Sequence, residues 1–590
     1  MFAIFPLMRR WLVGLLTVVI AIALIGCNPN DFKSQAAQVT QLVDTIVGEP
    51  KTFNYALSSE SPNVFSLIYE GLITENGVTA EIEPALAETW QISDDKKQIV
   101  FTLRQGLKWS DGEPLTADDV VFSFNDIYLN PDIPTSTRDG LQIGESKALP
   151  KVRKIGDRQV EFVVPEPFAP LLRSAGGTAI LPKHILAKTI TSKDKEGKPQ
   201  FLSTWGTDTD PKKVISNGPY KLDAYNTSQR VVFGRNPYYW RKDKQGNPQP
   251  YIERIVWQLV ENVDTALLQF RSGGLDILEI GPRTFRLLKR EEKRGGFTIY
   301  NGGPASGTTF ITFNLNKGKR DGTPLIDPIK SRWFNTVEFR QAVAYGINRQ
   351  AMINNIFQGV GEPQNSPITV QSPYYLSRAE GLKSYDYNPQ KAKELLQQAG
   401  FKYNNKGELF DAQGNRVRFT LTANTGGTGF IQAQIKQDLS KIGMRVDIQN
   451  IAFNSLVEKL DNTLDWDCVF IGFTGGVEPN NAANLWLPDG SSHLFNQKPQ
   501  TGQTPIEGRE IASWEAEIGR LYVQGAKEVD EAKRKAIYAE TQRLSQEYLP
   551  FIHLVNPIGL LAVRDRIQNI KYSAYGGPIW NIYELKAVEK

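Results

Sequence analysis

The stretch Gln98 to Ile127, QIVFTLRQGLKWSDGEPLTADDVVFSFNDI, constrains the fold more than any other part of the chain. Ile99, Phe101 and Leu103 alternate with Val100, Thr102 and Arg104, the period of two that marks a strand. Ser110-Asp111-Gly112 predicts a tight turn, because Gly tolerates positive φ and Asp bonds its own backbone. Thr116 stands as an N-cap, with Asp118 in the first helical turn and Asp119 three residues beyond the cap. Val120, Val121 and Phe124 give the helix that follows an apolar face. Strand, turn and capped helix together make an α/β building block.

At 590 residues the chain is too long for one core, so two or three domains are expected. Hydrophobic residues are 40% and charged residues 22%, the balance of an ordinary globular protein. The net charge is +4, and without Arg9 and Arg10 it is +2, near neutral for this size. No basic patch or tail argues for nucleic acid. The two cysteines, Cys27 and Cys468, are not read as a pair. Cys468 lies in the apolar run CVFIGF and reads as a buried thiol packing as a small hydrophobe.

Met1 to Gly26 reads as a leader. Arg9-Arg10 form a basic start, and Trp11 to Ala23 an apolar run too short for a membrane span. Leu24-Ile25-Gly26-Cys27 resembles a bacterial lipobox. That implies cleavage before Cys27 and lipid on its sulfur and amine, several chains giving stable anchoring where one is marginal. The alternative is a plain secretory signal with an incidental Cys. The residues around the twin Arg do not resemble a Tat motif, so Sec export is expected. Residues 27–40 read as a tether.

Order is expected from Gln41. Leu42 to Val47 reads as a strand, Val64 to Tyr69 as a short helix and Val160 to Val164 as a strand. Leu181-Pro182-Lys183-His184 introduces another helix. Tyr220 to Leu222, Ile252 to Leu259, Leu275 to Ile280 and Phe297 to Tyr300 read as strands. Val263 to Arg271 and Pro282 to Arg294 read as helices stopped by glycine pairs, the second charged and amphipathic. Strands alternating with short helices argue for βαβ units and a largely parallel sheet. Thr308 to Asn314 reads as a crossing into a second lobe. Beyond it, Glu338 to Phe357 is a helical pair, and Asn388-Pro389 an N-cap with Pro at the first helical position. Val417 to Ala423, Arg445 to Ile451 and Asp467 to Phe473 read as strands. Two helices fill Ala512 to Leu549, and Phe551 to Val555 is the return strand.

Catalytic motifs are missing. There is no G-x-S-x-G, H-E-x-x-H, Walker A or CxxC pattern. The three histidines show no metal-ligand spacing. His184 and His553 sit beside apolar residues and read as structural, while His493, in DGSSH, reads as a solvated loop residue. Asp94-Asp95 and Asp118-Asp119 are explained by a turn and a helix start. Neither a metal nor a cofactor is expected.

The wording from Ala85 to Phe124, with Trp109, Ser110, Asp111, Gly112, Pro114, Asp118 and Val120, resembles the family 5 solute-binding proteins, the extracytoplasmic receptors of ABC importers for peptides, nickel complexes and related solutes. Ser216 to Trp240, with RNPYYW, and Glu338 to Pro363 carry the same resemblance. It implies an α/β, two-lobed periplasmic-binding-protein fold of type II, with an extra subdomain at about 70–216. Lobe I would comprise 41–306, lobe II 307–554, and 555–590 would return to lobe I. A ligand cleft would lie between lobes joined by crossing strands. It further implies an exported, lipid-anchored monomer that binds a peptide or peptide-like solute, hands it to ABC permease subunits and does no chemistry. The alternatives are an exported hydrolase, a receptor for an oligosaccharide or metal chelate, and a module feeding a signalling partner.

The loop Thr474 to Trp486, TGGVEPNNAANLW, is the expected site. In peptide-binding relatives an Asp about four residues before the Pro takes the peptide amine; here that place is Gly475 or Gly476, and the acid is absent. Glu478, beside Pro479, is not that residue by position. Gly475 and Gly476 would let backbone approach a ligand closely. Trp486 and Tyr374 could stack on it. Thr474, Asn480, Asn481, Ser58, Ser59 and Glu60 complete the candidates, Glu60 as another acid for an amine.

Overall fold

The computed structural model describes residues 39–588, apart from 59–62, 145, 426–428 and 500–502. The leader, Cys27, most of the tether, Ser59 and Glu60 therefore lie outside the described residues.

Strand Gln41–Ile46 pairs in parallel with Arg254–Leu259, and Arg230–Arg235 and Tyr220–Asn226 follow antiparallel. Leu42 and Ile46 alternate into a large apolar core, as the period of two requires. Beside this sheet, the long strand Val555–Arg564 carries Ile277–Glu279 and Phe297–Pro304 on its two sides. A five-stranded sheet runs in the order Arg445–Ile451, Arg418–Asn424, Cys468–Phe473, Thr308–Phe313, Ile552–His553.

The chain passes between the last two sheets twice. Phe297–Pro304 leads through residues 305–307 into Thr308–Phe313, and Ile552–His553 leads through Leu554 into Val555–Arg564. One buried cluster gathers residues from Leu42 to Ile277 with Leu561 to Leu585, and a second gathers Phe310 to Val555. This is a two-lobed fold joined by crossing strands. The expected largely parallel sheet is corrected to mixed sheets. Parallel pairing is confined to Gln41–Ile46 with Arg254–Leu259 and to Arg418–Asn424 with its two neighbours. The reason is topological: one crossing strand leaves a lobe and the other returns, so they run in opposite senses.

Ala87–Ile92, Gln98–Leu103, Gln159–Val163 and Lys151–Gly156 form an antiparallel sheet. The strand–turn–helix unit inside this region is built as its residues dictate. Gly112 holds φ +95°. Thr116 Oγ1 accepts from the Asp118 N–H, and Asp119 Oδ2 accepts from the Thr116 N–H, a reciprocal cap on helix Ala117–Phe122. The remaining polar groups tie the unit to its surroundings. Asp119 Oδ1 accepts from the Lys183 N–H at 3.0 Å, Asp111 contacts His184 Nε2 at 2.8 Å, and Ser110 exchanges hydrogen bonds with Ser216. The motif thus specifies fold, which is why it says little about ligand.

Candidate functional site

In open α/β sheets ligands bind outside the carboxyl ends of the strands. In the second lobe these ends are Asn424, Ile451 and Phe473, from three mutually parallel strands. Phe430 and Phe453 open the helices that follow two of them and are 60% and 55% exposed, unusual for Phe. In the first lobe, Val47 and Val263 lie exposed beyond the parallel pair Gln41–Ile46 and Arg254–Leu259. The lobes touch here: the Arg283 guanidinium, at the start of helix Pro282–Gly295, lies 4.7 Å from the centre of the Phe430 ring. They touch again where the Ala169 N–H donates to Ala526 O at 2.8 Å and Lys527 pairs with Glu166 at 3.0 Å.

Phe473 leads into the candidate loop. Thr474, Gly475, Gly476 and Asn481 are exposed and Asn480 is half-buried. A Cβ on Gly475 would meet Ser306 O at 1.7 Å, and one on Gly307 would meet Phe473 O at 2.8 Å. The loop therefore lies against the crossing segment, and Gly475 is required by that packing. Gly476 is free of it, its nearest atom being Asn481 Nδ2 at 3.6 Å. Ser58 is half-buried and closes the turn Tyr55–Leu57.

The other candidates turn inward. Glu478 and Arg534 form a bidentate ion pair at 2.6 and 3.0 Å, with side chains 4% and 5% exposed. Burial alone would lower the Arg534 guanidinium, but the charge and hydrogen bonds of Glu478 outweigh it and leave it raised. Glu478 also accepts from the Asn480 N–H, so it is committed to the protein rather than to a solute. Tyr374 is buried, with its ring under Arg534 and its hydroxyl between Arg534 and Glu531. Trp486 is buried and stacks on Tyr522. Neither aromatic stands at a rim to stack on a solute. His493 is likewise corrected from solvated to buried: Nδ1 faces Leu485 O and Nε2 faces Glu515 Oε1, both at 2.9 Å. Glu515 lies 22 residues further on, which local sequence does not foretell.

Sequence reasoning missed two acids in the first lobe. Asp44 accepts from the Thr45 N–H and, among the described residues, has no cation within 4 Å. Its carboxyl is pushed up to about 7, chiefly by burial, with Glu279 and Asp276 adding. Glu279 itself is exposed. Asp276 by contrast pairs with Arg566. The alternation of Asp44 with Leu42 and Ile46 is the signal that could have found it. A cavity of about 390 Å³ lies elsewhere, at the amino edge of Arg418–Asn424, and the charges of Lys330 and Arg418 beside it are already paired with Asp467 and Asp447. Among the described residues, no group of three or more His, Cys, Asp or Glu is placed to hold a metal ion, and no helix is long and apolar enough to cross a membrane.

Residues 81–493 match the family described as bacterial extracellular solute-binding proteins, family 5 middle. A probable ABC transporter-binding protein of Deinococcus radiodurans is 31% identical over 88% of this chain and 87% of its own. The dipeptide-binding protein of Escherichia coli is 25% identical over 90% and 92%. NikA from Brucella suis, solved in complex with Fe(III)-EDTA, superposes with a TM-score of 0.74 over 93% of this chain and 100% of its own, at 20% identity, a likeness of fold.

Proposed function

Because the chain belongs to the bacterial extracellular solute-binding proteins of family 5, we propose that it captures a peptide or peptide-like solute by hinge closure and delivers it unchanged to an ABC permease. In this reading residues 41–306 and 555–590 form lobe I, with a subdomain at about 70–216, and 307–554 form lobe II. Lipid on Cys27 holds the exported monomer at the membrane.

The observation that carries the reading is the exposed edge Thr474–Gly476 lying against Ser306 in the crossing segment. A solute that adds to this edge as an extended strand bonds main chain to main chain, which gives affinity without naming side chains. The same solute bears on the hinge, so binding and closure are coupled. Within residues 474–486 the one carboxylate is Glu478, held by Arg534. The loop therefore selects against dependence on a free amine at this place. Thr474, Gly476, Asn480 and Asn481 form the lobe II side of the proposed site, and Ser58 to Glu60 the lobe I side.

Native mass spectrometry of the chain from Asn28, before and after mild denaturation, tests this. A released peptide or other small solute is expected. A bare mass that stays bare after incubation with peptide and chelate pools, or hydrolysis of an added peptide, overturns the proposal.

A further inference from the structure

Helix Pro282–Gly295 is PRTFRLLKREEKRG: six basic against two acidic side chains, an excess equal to the net +4 of the whole 590-residue chain. Both acids are occupied. Glu291 is held by Arg271 and Arg294, and Glu292 by Lys289. Phe285 and Leu288 pack inward. Arg286, Arg290 and Lys293, at helical spacing of four and then three, are exposed and make no ion pair among the described residues. Leu287, 40% exposed, lies next to Arg286 in the same helix. An exposed basic stripe with an exposed leucine at its side is the pattern of a helix that meets a membrane surface.

The place of the helix names its partner. Arg564 donates to Gly295 O at the helix end, and Arg566, two residues on, donates to Gln41 O at 3.0 Å, where the first strand begins. From Cys27 to Gln41 the chain reaches no more than about 50 Å even fully extended. We infer that the Arg286–Arg290–Lys293 stripe rests on anionic lipid headgroups beside the anchor; the geometry of this docking rests on the proposed lipidation of Cys27. Docking would fix the orientation in which the lobes meet the membrane. Several Lys or Arg next to an anchor suffice for such recognition, and it is weakened by salt.

The test uses the full-length protein, extracted from membranes and reconstituted in vesicles, with a fluorophore on Leu287→Cys and, as control, on Gln437→Cys in lobe II. The mass of the N-terminal peptide reads the lipid on Cys27 separately. Expected is at least roughly threefold stronger quenching at position 287 by headgroup quenchers in phosphatidylglycerol-containing vesicles than in pure phosphatidylcholine, lost in about 0.5 M salt. The change Arg286→Glu/Arg290→Glu/Lys293→Glu abolishes it, and Arg286→Gln/Arg290→Gln/Lys293→Gln weakens it, with the thermal transition intact. Equal quenching in neutral and anionic vesicles, or quenching untouched by charge reversal, overturns the inference. Quenching that needs co-reconstituted permease overturns it in favour of an acidic protein surface. A lipid-free Cys27 with charge-dependent quenching retained overturns the anchor and leaves the lipid-binding face standing.

Discussion

Two carboxylates, one in each lobe, are handled in opposite ways. Lobe II buries Glu478 with Arg534 in a bidentate pair, with the Tyr374 ring under the guanidinium. Lobe I leaves Asp44 with no cation within 4 Å among the described residues. A carboxylate's sequence position thus says less about its availability than its partner does. Glu478 stands in the expected ligand loop and is spent on architecture, whereas Asp44, in the first strand, retains the capacity to change charge near neutrality.

The largest effect that would break this contrast is removal of one member of the pair. Arg534→Leu or Glu478→Gln leaves the other charge buried and unpaired, which costs about 3–5 kcal/mol. Urea denaturation of each variant measures it, and the double change Glu478→Leu/Arg534→Leu is expected to recover part of the loss. A Glu478→Gln protein of unaltered stability but weakened solute binding would show instead that Glu478 faces the solute.

Titration sharpens the contrast next, because lobe II also buries a titratable histidine, His553. Burial, then Arg349, pushes His553 down to about 3. Its folded form is neutral while the unfolded form binds a proton, so stability falls as pH drops from about 6.5 toward 3, by at most roughly 1.4 kcal/mol per unit. Asp44 acts with the opposite sign. Its folded value, about 7, lies above the unfolded one, so its contribution is present below about pH 4 and lost as pH rises to 7. His553→Gln is expected to flatten the acid limb of a stability–pH curve. Asp44→Asn is expected to raise stability near pH 8 by about 1–3 kcal/mol and to leave it unchanged near pH 4. Equal effects at both pH values would place Asp44 in solvent.

The two glycines of the loop divide similarly. Gly475→Ala drives a methyl onto Ser306 O, main chain that can move only with the crossing segment, for about 1–3 kcal/mol. Gly476→Ala meets nothing closer than 3.6 Å and should stay within about 0.5 kcal/mol. Calorimetric titration with the released solute separates fold from site: reduced affinity in Gly476→Ala at full stability marks a surface the solute touches.

What was legible in the sequence was local. The capping box at Thr116, the Asn388 cap and the left-handed stops at Gly273 and Gly296 each lie within a few residues of the groups they serve. Strand existence followed from alternation, but strand direction did not, because a strand's sense is set by where its distant partner enters. The fate of the site residues was illegible for the same reason: Arg534 is 56 residues from Glu478, and Glu515 is 22 from His493. The exposure of Phe430 and Phe453 has no signal in the sequence, since an exposed Phe is the exception that patterning hides.

The smallest effect bears on the seam between the lobes. Arg283 over Phe430 joins the two carboxyl edges by a single cation–π contact, worth about 0.5–1 kcal/mol at an exposed site. That is too little to hold the lobes shut alone and enough to shift an open–closed equilibrium two- to fivefold. Arg283→Gln should therefore leave the melting temperature unchanged, increase the solute-free open population seen by fluorescence transfer between labels on the two lobes, and weaken solute binding by the same factor. Lysine at 283 keeps the charge and should restore most of the closure. Unchanged transfer in both variants would mean that the Ala169–Ala526 contact sets closure, and that the carboxyl edges approach only as its consequence.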